Sequence, residues 1–300
     1  MTVMLIIALL TAIVSRMSLL NQIWLRQVDN SSALVQAAQA TRAAQIWVAS
    51  ILEADKNDFD GRSDDWAQPV IPMPIAWGEM YGVIEDMQSR FNLNNLLDKE
   101  GKLNETAYQQ LGQLLELLEL DPAIADALVD WIDADSFTTG RQGAEDIYYL
   151  GQPRPYMAAN RPFMDEAELR LVRGVDFNTW KRLQPYISTL PEQTTVNINT
   201  ASAELIAAML YEQEAPANLR VEAERWVEDA MVNPYPKLEV FAEQLSKSLN
   251  LKLPEGLSVS SSYFRAHTQM TFGSVEHRMS TLYQRKGGRA NILQQTRTLF

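Results

Sequence analysis

No glycine or proline occurs between Met1 and Asp60, so the opening of the chain lacks both residues that most readily end a helix. Met1–Val14 carries no charge, and its only hydroxyl residues are Thr2 and Thr11; Arg16 closes the run. A continuous helix to about Leu52 is roughly 78 Å long at 1.5 Å per residue. Its start, with Leu5, Ile6, Ile7, Leu9, Leu10, Ile13 and Val14, is apolar all round. Beyond it Ile23, Trp24, Val28, Leu34, Val35, Ala38, Ile46, Trp47 and Ile51 recur at helical spacing, so that part is amphipathic and needs a surface to cover its stripe. We read residues 1–20 as a membrane anchor and 21–52 as its continuation, with Ile23, Trp24, Val28, Leu34 and Val35 facing partner helices. The apolar run is shorter than the roughly 20 residues of a full span, which leaves a signal-peptide core as the alternative.

A loop rich in Asp, Asn, Gly and Pro, Asp55–Pro74, ends the helix, and Trp77–Leu93 reads as one or two strands. Helical periodicity then dominates: Leu103–Leu120, Pro122–Ile132, Asp165–Leu171, Phe177–Ile187, Ala201–Glu212, Asn218–Met231 and Lys237–Leu249. Strand character returns at Leu257 and continues through Met279–Gln284, a Gly287-Gly288 turn and Ile292–Leu299. Late strands need early ones as partners. The expected fold is therefore α+β and discontinuous: residues 1–90 with 257–300 form one unit, and 91–256 form an inserted helical domain.

The net charge of −12 argues against a general nucleic-acid binder. Leu257–Phe300 nevertheless holds six Lys/Arg and one acid, a local charge of +5, leaving −17 on the rest. Cysteine is absent, which excludes disulfides and thiol chemistry. His267 and His277 stand too far apart in sequence for a short-range zinc pair, and no phosphate-binding loop, dinucleotide fingerprint or nucleophile elbow occurs. Trp66, Trp77, Trp131, Trp180 and Trp226 read as core.

Two acidic stretches remain. In Asp130-Trp-Ile-Asp133-Ala-Asp135 with Gly143-Ala-Glu145-Asp146, several carboxylates converge with loop carbonyls, a donor set that suits a hard cation such as calcium. A solvated loop with helix caps accounts for the same residues. Asp55–Asp65 is similar but contains Lys56 and Arg62, and reads as a linker. Val196-Asn-Ile-Asn-Thr-Ala201 looks like the opening of a helix-hairpin-helix motif, and Phe91-Asn-Leu-Asn-Asn-Leu96 echoes it, which points to two related helical units. The Gly-containing hairpin of DNA-binding versions does not follow, so a membrane-tethered DNA-uptake protein is the weaker alternative. A divalent-metal hydrolase lacks a nucleophile.

On Leu5–Trp24, Phe91–Leu96, Asp130–Asp135, Gly143–Asp146, Ala159–Pro162, Glu168–Gly174 and Val196–Ala201, the chain resembles the K-type minor pseudopilins of the bacterial type II secretion system over essentially its whole length. The resemblance implies a pseudopilin fold, a long N-terminal helix packed on a small antiparallel sheet, with a large inserted all-α domain of two helix-hairpin-helix-like (SAM-like) units. It implies calcium on Asp133, Asp135, Glu145 and Asp146, with Asp130 or the Gly143 carbonyl as further ligands, and no catalysis. It implies a single-pass inner-membrane protein with its bulk in the periplasm, placed at the pseudopilus tip. There it would initiate assembly, support export of folded proteins, join I- and J-type minor pseudopilins and meet secreted substrates, without nucleic acid. The acid-free Met1–Val14 fits an apical place, since other pseudopilins carry a glutamate there that pairs with a neighbouring subunit. A basic leader and the glycine cut by prepilin peptidase are missing, so the numbering is expected to begin near or just inside the mature protein.

Overall fold

The computed structural model describes residues 1–75, 78–211, 216–272 and 275–298; Trp77 and the sequence readings on Glu212–Glu214 and Leu299 fall outside these. Helix α1 runs unbroken over Thr2–Ala54, and Asn30–Ser32 do not interrupt it. Ala37, Thr41, Ala44, Gln45, Val48 and Leu52 are its buried residues, at helical steps that place them on one face. Small residues at 37 and 44 let the backbone approach the sheet over Met80 and Met270. Val48 and Leu52 close a second cluster with Trp66, Ile84, Phe264, Ala266 and Tyr283. The stripe expected from sequence therefore mixed faces: Ile46 is 72% exposed, whereas Ile51 packs against the second cluster and lines, with Trp47, a groove that includes Trp66, Pro72 and Pro74.

The sheet is antiparallel throughout, in the order Val70–Ile75 (β1), Gly78–Asp86 (β2), Tyr263–Phe272 (β7), Val275–Lys286 (β8) and Arg289–Thr298 (β9), numbered along the chain. Strand β1 lies within what the sequence presented as loop, because Pro72 and Pro74 argue against a strand; an edge strand tolerates both, since its outward side needs no ladder donors. The chain then leaves the sheet through β3 (Phe91–Asn92) into the helical region. That region holds α2 (Glu105–Leu117), α3 (Ile124–Ile132), α4 (Asp146–Leu150), α5 (Phe177–Leu183), β4 (Ile187–Ser188), β5 (Val196–Asn197), α6 (Ala203–Met209), α7 (Leu219–Val232) and α8 (Leu238–Leu249). It returns through β6 (Leu257–Ser258) to β7 (Tyr263–Phe272), β8 (Val275–Lys286) and β9 (Arg289–Thr298). Asp165–Leu171, read as an α-helix, is a 3-10 segment over Glu166–Leu171, and α4 carried too few residues to show a period.

Two Asn-rich openings do the same structural work, which explains their echo in sequence. Asn92 and Asn197 each accept a hydrogen bond from the backbone N–H two residues on, at 3.2 and 3.0 Å. Asn94 then clamps both backbone groups of Phe163, and Asn199 both backbone groups of Tyr235. Each short strand pairs in parallel with a later one, β3 with β4 and β5 with β6. Residues 196–201 are all buried, so this stretch offers no backbone N–H groups to phosphate.

The helical region meets the sheet at a buried polar junction. Asp86, at the end of β2, accepts from Thr200 Oγ1, Asn197 Nδ2, Ser261 Oγ and the N–H of Gln88, at 2.5 to 3.0 Å. Asp60, from the loop after α1, accepts from the Ser261 N–H and from Arg285, whose guanidinium also reaches Asp55 at 2.9 Å. On the sheet face away from α1, Arg265 pairs with Glu166 at 2.8 Å.

Because Leu52 is fully buried and Ile46 largely exposed on the same helix, Leu52→Ala is expected to cost about 2–5 kcal/mol. Ile46→Ala should stay within about 0.5 kcal/mol. Urea unfolding of the two variants in detergent checks the assignment of the buried face.

Candidate cation site

Helix α3 presents Asp126, Asp130 and Asp133 at steps of four and three, one face of the helix and its C-cap. The following loop turns back through Gly140, at φ +57°, and Gly143 to bring Glu145 over that face. A Cβ at Gly140 would collide with the Asp126 carboxylate, and one at Gly143 with Asp130 and the Thr139 backbone. The loop closes only with glycine at both places.

Asp130, Asp133 and Glu145 are buried, and each can place an oxygen within 4.8 Å of the other two. Asp130 Oδ1 accepts from the Thr139 N–H at 2.8 Å. Asp130 Oδ2, Asp133 Oδ1 and Glu145 Oε1 are buried without a hydrogen-bond partner among the described residues. Burial first, and then mutual repulsion, holds these groups protonated to unusually high pH. Asp133 is pushed up to about 6, with Asp135 and Asp130 the repelling neighbours. Glu145 is pushed up to about 7, with Asp130, Asp133, Asp135 and Asp146 around it. Asp130 moves the same way, chiefly by desolvation.

The structure gives the other sequence candidates different work. Asp135 is exposed and its Oδ1 accepts from the Phe137 N–H at 2.7 Å. Asp146 begins α4, half-buried, and its Oδ1 accepts from the Ala158 N–H at 2.9 Å. The Gly143 carbonyl accepts from Arg173 Nη1 at 3.1 Å. Arg173 also lies over the Tyr148 ring at 4.8 Å, and its N–H meets the buried Tyr149 hydroxyl. Asp126, which sequence reasoning passed over, accepts from Tyr108 and from the N–H groups of Arg141 and Gln142, so it fixes the loop. Its signal was available in the four-then-three spacing of the aspartates on α3.

The second acidic loop makes the contrast. Asp55, Asp60 and Asp64 also converge, yet Arg285 supplies the positive charge there. His267 pairs with Ser280 and His277 with Met270, so strand alternation puts the two imidazoles on opposite faces of the sheet. Among the anchor and interface residues, Leu5–Val14, Ile23, Trp24, Val28, Leu34 and Val35 are all exposed, and α1 is long and apolar enough at its start to cross a membrane.

Comparison with known proteins agrees with this architecture. The family model described as type II secretion system (T2SS), protein K, matches residues 89–192. Type II secretion system protein K of Pseudomonas aeruginosa is 30% identical over 97% of this chain and 90% of its own length. The protein of the same name from Aeromonas hydrophila is 31% identical over 100% of the chain and 95% of its own length. The crystal structure of the GspK–GspI–GspJ complex from the enterotoxigenic Escherichia coli type 2 secretion system contains a chain that superposes with a TM-score of 0.71. That match has 25% identity and covers 91% of this chain and 99% of the other. A helix that its own sheet covers only toward one end, a sheet interrupted by a helical region, and this extent of similarity together place the chain in the family of type II secretion system protein K, the K-type minor pseudopilins.

Proposed function

We propose that this chain caps the type II secretion pseudopilus: it initiates assembly of the tip with I- and J-type minor pseudopilins and so supports export of folded proteins across the outer membrane. The observation that carries the reading is the mismatch between α1 and its sheet. Only residues 37–52 include buried side chains, whereas the membrane-proximal two-thirds stands bare. Residues 1–20 would sit in the inner membrane, with the body in the periplasm. Trp24, Val28, Val35 and Ile46 fall within about 40° of one another around the helix axis at 100° per residue, and all are exposed. Such a seam fits a neighbouring helix, while Ile23 and Leu34 lie about 100° further round the axis, on the continuation of the sheet-facing side below the sheet. Partnership with GspI and GspJ in the related solved complex supports the assignment of partners. The role is structural and not enzymatic.

Calcium is the fitting occupant of the acidic site. Three buried carboxylates with orphaned oxygens form a hard, anionic donor set, and a divalent cation would cancel the repulsion that raises their pKa values. Asp130, Asp133 and Glu145 would hold it, with Asp135 and Asp146 at the periphery. Its contribution would be rigidity of the loop between α3 and α4.

Three outcomes follow. A strain lacking this chain should fail to start pseudopili and to export, and the chain carrying Val35→Glu and Ile46→Glu should restore neither while folding normally. Unimpaired export in the deletion strain would overturn the tip role. For the ion, calcium at a hundred times its Kd should stabilise the chain by about 2.7 kcal/mol, a gain that Asp133→Asn with Glu145→Gln removes. Without cation, Asp133 and Glu145 keep protons in the folded state that the unfolded chain has released. Stability should then fall as pH rises from about 4 through about 7. Calcium should reverse that slope, and a thermal-melting series with chelator and with calcium reads both; a flat profile without cation would count against the site.

A further inference from the structure

The two edges of the five-stranded sheet are unlike. Strand β1 carries Pro72 and Pro74, which offer no backbone N–H and keep other strands from pairing with an edge. Strand β9, the opposite edge, spans ten residues, Arg289–Thr298, without a proline. Every residue from Asn291 to Arg297 is exposed, including Ile292 and Leu293. Helix α1 packs on the face of the sheet and its Glu53 Oε1 accepts from the Ala290 N–H at 3.0 Å; beyond Ala290 the outward row of β9 N–H and C=O groups has no partner among the described residues.

The charge along this edge is one-signed. On β8 and β9, Arg278 pairs with Glu276, and Arg285 is consumed by Asp55 and Asp60. Lys286, Arg289 and Arg297 have no ion-pair partner among the described residues. Arg289 and Arg297 stand near the two ends of the strand and Lys286 opposite Arg289 on β8. Two consequences follow from where these cations lie. A symmetric antiparallel pairing of β9 with a second copy, centred on Leu293, sets Arg289 of each copy opposite Arg297 of the other. Like charges directly opposite across strands are destabilising, so the edge is guarded against itself. The same cations attract an acidic strand and orient it along the edge.

We propose that the outer edge of β9 receives an extended, acidic segment of a different protein as a sixth strand. Backbone hydrogen bonds would supply the affinity, and Lys286, Arg289 and Arg297 the selectivity. The register shift between Leu282 and Tyr283, where Leu293 is the unpaired residue, divides the edge into two runs, Arg289–Ile292 and Gln294–Thr298. The second is the longer and would carry the main pairing. This inference stands on the sheet and its charges, and does not depend on the ion or on the export role.

The test uses the full chain in detergent micelles with two blocked ten-residue peptides. One alternates Glu with Val and Thr; the other has Lys in place of Glu. Amide hydrogen exchange is followed along β9. The acidic peptide should slow exchange at alternate β9 amides roughly tenfold or more, with an affinity that falls as salt rises, and the Lys peptide should not. Arg289→Glu with Arg297→Glu should exchange the two peptides' behaviour. Arg289→Thr with Arg297→Thr should let copies pair, seen as β9 protection that grows with protein concentration. The proposal is overturned if neither peptide protects β9, if both protect it equally, or if the acidic peptide binds without slowing β9 exchange. Concentration-dependent β9 protection in the unaltered chain overturns it as well, because the edge would then take a second copy.

Discussion

The fold hinges on one buried carboxylate. Asp86 lies at the point where the chain leaves the sheet, and four donors from three stretches, two of them distant in sequence, converge on it: the turn that follows it, the Asn197–Thr200 opening, and Ser261 at the return to the sheet. Burial raises its pKa despite those donors, so the junction holds the carboxylate at a desolvation cost that its hydrogen bonds partly offset. Beside it Asp60 is raised to about 6 by burial, against the pull of the Ser261 N–H and of Arg285. A network of this kind tolerates little displacement, because each displaced donor leaves a buried acceptor unpaired. It therefore fixes how the helical region sits on the sheet, and through Asp55 and Asp60 it fixes where α1 ends.

The two acidic clusters show how the same residue types reach different ends. Around Arg285 the carboxylates find a guanidinium delivered by β8, and the charge is settled within the protein. Around Glu145 no basic side chain enters among the described residues: Arg173 approaches the loop but gives an Nη1–H to the Gly143 carbonyl and lies over Tyr148. Trp131, Tyr149 and Tyr156 pack on one another beside it, and burial of the carboxylates in this region, ahead of their mutual repulsion, raises their pKa values. One cluster is closed by an internal ion pair; in the other, buried carboxylates face one another without a basic partner among the described residues.

Charge is also separated along the molecule. The helical region and the loop after α1 carry the acids, while the last two strands carry cations that find few partners. The basic edge of the sheet, the bare seam of α1 and the acidic loop at α3 are three chemically distinct parts of one chain.

The sequence by itself determined the unbroken rod, its apolar start, the discontinuous sheet and the acidic stretch beside α3. Those features rest on local rules: missing helix breakers, strand alternation and the spacing of carboxylates. It also exposed the Asn repeat without saying what the repeat does. Which face of α1 is buried was decided only in three dimensions, because Ala37, Ala44 and Leu52 are selected by closeness to Met270 and Phe264, more than two hundred residues away. Strand β1 stayed hidden because Pro72 and Pro74 contradict a strand unless it lies at an edge, and edge position belongs to the whole sheet. The carboxylates of the acidic site divided for the same reason. Asp133 and Glu145 turn inward and Asp135 outward according to where a loop closed by two glycines is pinned by Asp126 and Arg173, a long-range closure that no local period encodes.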